Sequence, residues 1–182
     1  MTAHEEPAAS DLQALVRDGT FTGEWVLDAA RSEVLLETKH TWGLRPVHGV
    51  FRQVTGNGTV TAAGQVTGTI TIAAGSIDTK STMRDKDLRS AKVFDVAQHP
   101  DITYAVDGMQ PGSGSVRVTG QLTVRGQTRP VAFDAQVTVI ADEVRLEARV
   151  PVNRADFGLT YSPLGMASLD NVITLRLVFA RQ

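Results

Sequence analysis

Val131-Ala-Phe-Asp-Ala-Gln-Val-Thr-Val-Ile140-Ala-Asp-Glu-Val-Arg-Leu-Glu-Ala-Arg-Val150 is the stretch that decides the fold. Val131, Phe133, Val137 and Val139 fall on one parity, and after Ala141-Asp142 the rhythm resumes with Val144, Leu146, Ala148 and Val150. Successive side chains of a strand point to opposite faces, so this alternation describes two strands, each with one buried and one wet face. The short polar break between them suits a hairpin.

The same rhythm extends in both directions. Downstream, Ile173, Leu175, Leu177 and Phe179 stand against Thr174, Arg176 and Val178. Upstream come Val116, Val118, Leu122 and Val124, then Val66, Ile70 and Ile72 among threonines. Earlier still, Val34, Leu36, Thr38 and His40 alternate with Glu33, Leu35, Glu37 and Lys39. Gly56-Asn57-Gly58, Ala73-Ala74-Gly75 and Gln110 to Gly114 are expected as hairpin turns between these rows. About eight strands result. Antiparallel strands joined in sequence hide their edges by closing, so the expected class is all-β, an extended eight-stranded antiparallel barrel.

Two helices interrupt it. Ser10 or Asp11 is expected to cap a helix from Leu12 to Arg17, with Leu12, Leu15 and Val16 on one face and Gly19 as the stop. Residues 1–9 are polar and acidic and read as disordered; residues 1–20 are thus taken as an extension and 21–182 as the barrel domain. Ser81 to Gln98 is charged and without alternation, and Leu88, Ala91 and Val93 or Phe94 would face inward from a short helix. Arg84, Asp85 and Arg89 are expected to hold this segment over the barrel.

The chain of 182 residues is 42% hydrophobic, 5% aromatic, free of cysteine and carries a net charge of −2. This composition supports one core, excludes thiolate chemistry and disulfides, and argues against nucleic acid as a partner. No stretch approaches the roughly 20 apolar residues of a membrane helix, so no stable membrane insertion is expected. The N-terminus has neither basic nor apolar signal regions, and a cytoplasmic location is the expectation.

A barrel of eight strands either fills its interior or holds one small ligand. Thr38, Gly49, Gly68, Gly120, Ala135 and Ala148 are small residues on inward parity, and few aromatics are available to fill the space. One reading is a cavity; the other is that the glycines mark bends and corners. His40 lies on the apolar parity and His48 returns near it across a turn, a pair short of the three or four ligands that zinc needs. No metal is therefore expected. No serine elbow, dinucleotide loop or carboxylate pair is legible, so no catalytic residue and no cofactor is expected either.

Several segments together resemble one family. They are Gly23-x-Trp25-x-Leu27-Asp28-x-x-x-Ser32-x-Val34, Val47-x-Gly49-x-Phe51, Ser76-Ile77-Asp78-Thr79 and Phe94-Asp95-Val96-x-x-His99-Pro100-x-Ile102-Thr103-Tyr104. Gly120-x-Leu122-Thr123-Val124-x-Gly126-x-Thr128-x-Pro130-Val131 and Asn153-Arg154-x-Asp156-Phe157-Gly158 complete them. In order and spacing these are similar to the YceI-like, polyisoprenoid-binding proteins, over about Gly23 to Phe179. The resemblance implies a lipocalin-like barrel whose lumen takes an isoprenoid chain without catalytic machinery, and it suggests a homodimer. The first 20 residues lie outside it and would plug or extend one mouth of the barrel.

The expected function is non-catalytic binding, storage or transport of a long apolar ligand, of polyprenyl or isoprenoid-quinone type. Val34, Leu36, Thr38, His40, Phe51, Phe94, Ile102, Tyr104, Leu122, Phe133, Leu146, Phe157 and Leu175 are its expected lining. Two alternatives stand beside it: a filled, stress-related interaction barrel with no ligand, and an enzyme built on His40.

Overall fold

Eleven strand segments build a wall of eight staves. They are β1 (Gly23–Leu27), β2 (Glu33–His40), β3 (Arg45–Phe51), β4 (Val54–Val60), β5 (Val66–Ala73), β6 (Ile77–Asp78), β7 (Asp101–Pro111), β8 (Val116–Val124), β9 (Gln127–Ile140), β10 (Glu143–Asn153) and β11 (Asp170–Arg181). The computed structural model describes residues 9–40, 44–112 and 114–182. All pairings are antiparallel, and the ring β1–β4–β5–β7–β8–β9–β10–β11 closes where Leu27 and Trp25 meet Phe179 and Arg181. The barrel is thus all-β, eight-stranded and closed.

The extra segments arise because three staves are broken. β11 pairs with β1 through its C-terminal part and with β2 through its N-terminal part. β2 carries β3, and β3 carries β6, so the staves β1/β2, β4/β3 and β5/β6 each bend between an upper and a lower half. At the β2–β3–β6 end nothing pairs β6 to β7. There α2 (Thr82–Arg89) and the turns after it cover the gap.

Gly56-Asn57-Gly58 is not a turn. It lies inside β4, with Gly58 opposite Gly68 on β5. A Cβ on Gly68 would stand 2.4 Å from the Asn57 carbonyl, so glycine here permits close strand approach. The turn falls later, where Thr61 and Gln65 close a loop and Gly64 takes φ +78°.

The N-terminal helix α1 runs from Ala9 to Arg17. Ser10 and Asp11 lie within it rather than capping it, while Gly19 at φ +78° does end it. Leu12 is buried, Gln13 Nε2 donates to the Pro111 carbonyl, and Val16 fills the space above Gly64. Trp25 Nε1 donates to the Phe21 carbonyl at 3.0 Å, and the Arg181 guanidinium stacks over the Trp25 ring while bonding Thr20 and Thr22 carbonyls. The segment before β1 is therefore strapped across one end of the barrel. The expected disorder of residues before Ala9 lies outside the described residues.

Candidate functional site

The interior follows from strand parity. Along β11, Ile173 and Leu175 face the upper lumen and Leu177 and Phe179 the lower. On β8 the order reverses with strand direction: Val116 and Val118 are lower, Leu122 and Val124 upper. A bulge between Val106 and Gly108 on β7 shifts the parity, so Met109 and Pro111 face inward instead of Gly108 and Gln110. The result is two apolar chambers in series, of about 280 Å³ and 170 Å³.

Four residues border both chambers: Ile70, Tyr104, Phe133 and Leu175. They form the waist. Ile70 is the cross-strand partner of Tyr104, and Leu175 is the partner of Ala148. Two of the small inward residues belong here, and they do not border open space. A Cβ on Gly120 would stand 2.7 Å from Tyr104 Cζ, so the tyrosine ring already occupies that volume. Ala148 is buried and borders neither chamber. At Gly49 the neighbour is Ile77, whose Cδ1 would meet a Cβ at 2.8 Å. For Gly120 and Ala148 close packing, not vacancy, explains the small residue, whereas Gly49 and Thr38 border the upper chamber and Gly68 the lower one.

Of the expected lining, Val34, Leu36, Thr38, Phe51, Phe94, Ile102, Tyr104, Leu122, Phe133, Phe157 and Leu175 border the upper chamber. Leu146 does not; it borders the lower one, because β10 starts there and reaches the upper chamber only at Val150 and Val152. The side chain of His40 lies outside the described residues. His48 is exposed, with Nδ1 3.8 Å from the Glu37 carboxylate on the outer face. Among the described residues no three His, Asp or Glu side chains converge.

The polar groups gather at the upper mouth. Thr79, Arg84, Asp87, Arg154 and Asn171 border the chamber there. Asp85 is buried and accepts from the backbone N–H and hydroxyl of Thr79 at 3.0 and 2.6 Å, and Arg84 Nε donates to the same hydroxyl at 2.9 Å. Arg89 ties α2 to the wall by donating to the Gly75 and Ile77 carbonyls. Phe94, just after the helix, sets its ring edge-on to Phe51 at 6.1 Å. Ala91, in contrast, is exposed.

Arg154 organises the other side of the mouth. It donates to the carbonyls of Ser168, Leu159, Tyr161 and Ala167, gathering residues 159–168 into a cap. No carboxylate pairs with it among the described residues, and burial lowers its pKa. Inside, Tyr104 donates to the Val131 carbonyl at 2.8 Å, and burial pushes its phenol up to about 12, with the Asp107 charge adding to the effect.

Parity reasoning missed the lining that comes from loops. Leu159, Tyr161, Pro163 and Ala167 carry no periodic signal, and their place follows only from the Arg154 clamp. Ile70, Ile72, Val131 and Ile173 were on rows already identified and share the parity of named neighbours.

A family model described as the YceI-like domain matches residues 25–180. Protein YceI of Salmonella arizonae is 33% identical over 105 residues, 54% of each chain. A UPF0312 protein of Pectobacterium atrosepticum is 32% identical over 119 residues, 62% of each chain, so the alignments span less than two thirds of these relatives' lengths. Among solved structures, BcnA of Burkholderia cenocepacia matches 84% of this chain and 98% of its own, with TM-score 0.76 and 22% identity. A polyisoprenoid binding domain from Saccharophagus degradans, implicated in plant cell wall breakdown, matches 87% of this chain and 98% of its own at TM-score 0.73 and 18% identity.

Proposed function

This chain belongs to the YceI-like domain family, and from that premise we propose that its barrel binds and carries a long apolar ligand, of polyprenyl or isoprenoid-quinone type, without transforming it. The observation that supports this reading most is the lumen itself: two chambers in line, lined mainly by aliphatic and aromatic side chains, with charged groups only at the upper mouth. A filled barrel leaves no such space. The polyisoprenoid binding domain with the same fold adds to the reading.

The energetics favour a chain without many polar contacts. Each buried CH₂ contributes roughly 0.8 kcal/mol. About 20 buried carbons give a gross term near 16 kcal/mol, against roughly 4–15 kcal/mol for association and ordering. Selectivity then comes from length and from the mouth, not from a hydrogen-bond pattern.

Native mass spectrometry of freshly purified protein tests the proposal. Added mass corresponding to an apolar molecule is expected, and it is expected to disappear on extraction with organic solvent. A protein that carries no added mass and takes up no polyprenyl alcohol or quinone after extraction overturns it.

A further inference from the structure

The upper mouth is rimmed by exposed apolar residues. Among the described residues seven large hydrophobic side chains are exposed, and five of them stand on the segments around this mouth: Leu44, Met83, Tyr161, Leu164 and Leu169. Leu44 lies just before β3, and the end of β2 is tied to the 159–168 cap by the Ser168 N–H donating to the Lys39 carbonyl at 2.9 Å. Met83 sits on α2 beside Arg84, which borders the chamber. Leu44 is 79% and Leu164 84% exposed. Scattered apolar residues on a surface need no explanation, but a cluster around one opening does.

Leu164 adds a second observation. Its backbone is left-handed, at φ 54° and ψ 21°, between Pro163 and Gly165. That region is costly for a residue with a Cβ. The strain is spent on holding an aliphatic side chain out into solvent, while its neighbours Pro163 and Ala167 turn inward to line the chamber.

Charge supplies the third. Lys39, Arg45, Lys86 and Lys92 are exposed on the same segments, and no carboxylate pairs with them among the described residues. Lys92 instead lies over the Tyr161 ring, 5.3 Å from its centroid. Against them the same segments carry the exposed acids Asp87, Asp156 and Asp170, the last of which accepts from Asn153 Nδ2. Aliphatic tips interleaved with free cations are what an interfacial anchor presents to an anionic bilayer.

We propose that this rim docks the barrel, mouth down, on an anionic lipid surface. Leu44 and Leu164 enter the acyl boundary and the lysines and arginine meet the headgroups, so that the apolar chamber opens onto the bilayer rather than onto water. The surface is peripheral: no helix among the described residues is long and apolar enough to cross a membrane. The proposal rests on the apolar-ligand reading for its purpose, but not for its test.

The test is flotation of the delipidated full chain with phosphatidylcholine vesicles and with vesicles containing phosphatidylglycerol. Partition onto the anionic vesicles is expected, falling as salt is raised through the physiological range. Leu44→Glu with Leu164→Glu is expected to weaken it by about tenfold or more, since both aliphatic contacts are lost. Ile140→Glu is the control, because Ile140 is exposed at the opposite end, on the β9–β10 hairpin beside the lower chamber. It is expected to partition as the parent does, and all proteins to keep their melting temperature. Absence of partition by the parent overturns the proposal, as does equal loss in the control. A double variant that shifts a monomer–dimer equilibrium while partitioning normally also overturns it, and identifies the rim as a contact between copies. Ligand mass is read separately: a parent that carries lipid yet does not float sinks the docking alone, and one that floats without ligand upholds the docking alone.

Discussion

Tyr104 and Phe133 meet with ring centroids 5.6 Å apart and planes tilted by 47°, at the level where the lumen divides. Tyr104 comes from β7 and is fixed twice: its ring lies over Gly120, and its hydroxyl donates to the Val131 carbonyl at 2.8 Å. Phe133 comes from β9 and has no polar anchor. The waist therefore has one fixed side and one held by packing alone.

Phe133→Ala is expected to join the two chambers. Removing a buried phenylalanine typically costs about 3–5 kcal/mol, and the low end applies here because the ring already borders space on both sides. Thermal unfolding measures that cost. Native mass spectrometry against polyprenyl alcohols of rising length is expected to show the longest retained species lengthening in the variant. An unchanged length limit would mean that the waist does not set it.

Tyr104→Phe separates the hydrogen bond from the ring. Loss of one neutral bond, the one from the Tyr104 hydroxyl to the Val131 carbonyl, is expected to cost about 1 kcal/mol near neutral pH. The pH dependence has a definite sign. The folded phenol titrates at about 12, above the unfolded value of about 10. Its contribution is complete below pH about 10 and is lost as the pH rises toward 12. Urea midpoints of the parent are expected to fall more steeply than those of Tyr104→Phe across that window. Lysines titrate there in both proteins, so the difference between the two curves is the readout.

Arg154→Lys is expected to fail as a replacement. The guanidinium reaches four carbonyls from one planar fork, and an ammonium cannot. Hydrogen exchange is expected to speed up across residues 159–168 while β10 and β11 stay protected. A lysine variant that keeps the cap protected would show that packing, not the fork, holds it.

Much of the barrel was legible because alternation carries its own geometry. The row from Ile173 to Phe179 predicts inward parity, and all four residues line the lumen. What alternation does not carry is height along the barrel. Leu146 and Leu122 have the same parity signal, yet they stand in different chambers because strand direction and register decide depth. Glycine was ambiguous for a related reason. The pattern around Gly56 to Gly58 fits a turn equally well, and only the strand pairing shows that the missing side chains let β4 and β5 approach. The cap is illegible in the sequence because backbone carbonyls, which every residue has, are what Arg154 recognises.

Leu36→Trp and Ala148→Trp make a matched pair with opposite expected outcomes. Both positions lie on inward parity, and both substitutions add an indole to the barrel interior. Leu36 borders the upper chamber, so the ring has space to enter. Ala148 is buried at the waist beside Leu175 and borders no open volume. At Ala148 the extra atoms must push Leu175 or the Tyr104–Phe133 pair aside, which costs about 1–3 kcal/mol or more. At Leu36 the melting temperature of delipidated protein is expected to change little, while ligand uptake falls because the ring stands where the chain would lie. Delipidated parent is the necessary reference, since bound ligand itself raises stability and its loss would imitate overpacking. Equal destabilisation by the two substitutions would show that the upper chamber is not available space. Retention of ligand by Leu36→Trp would show that the chain does not pass β2.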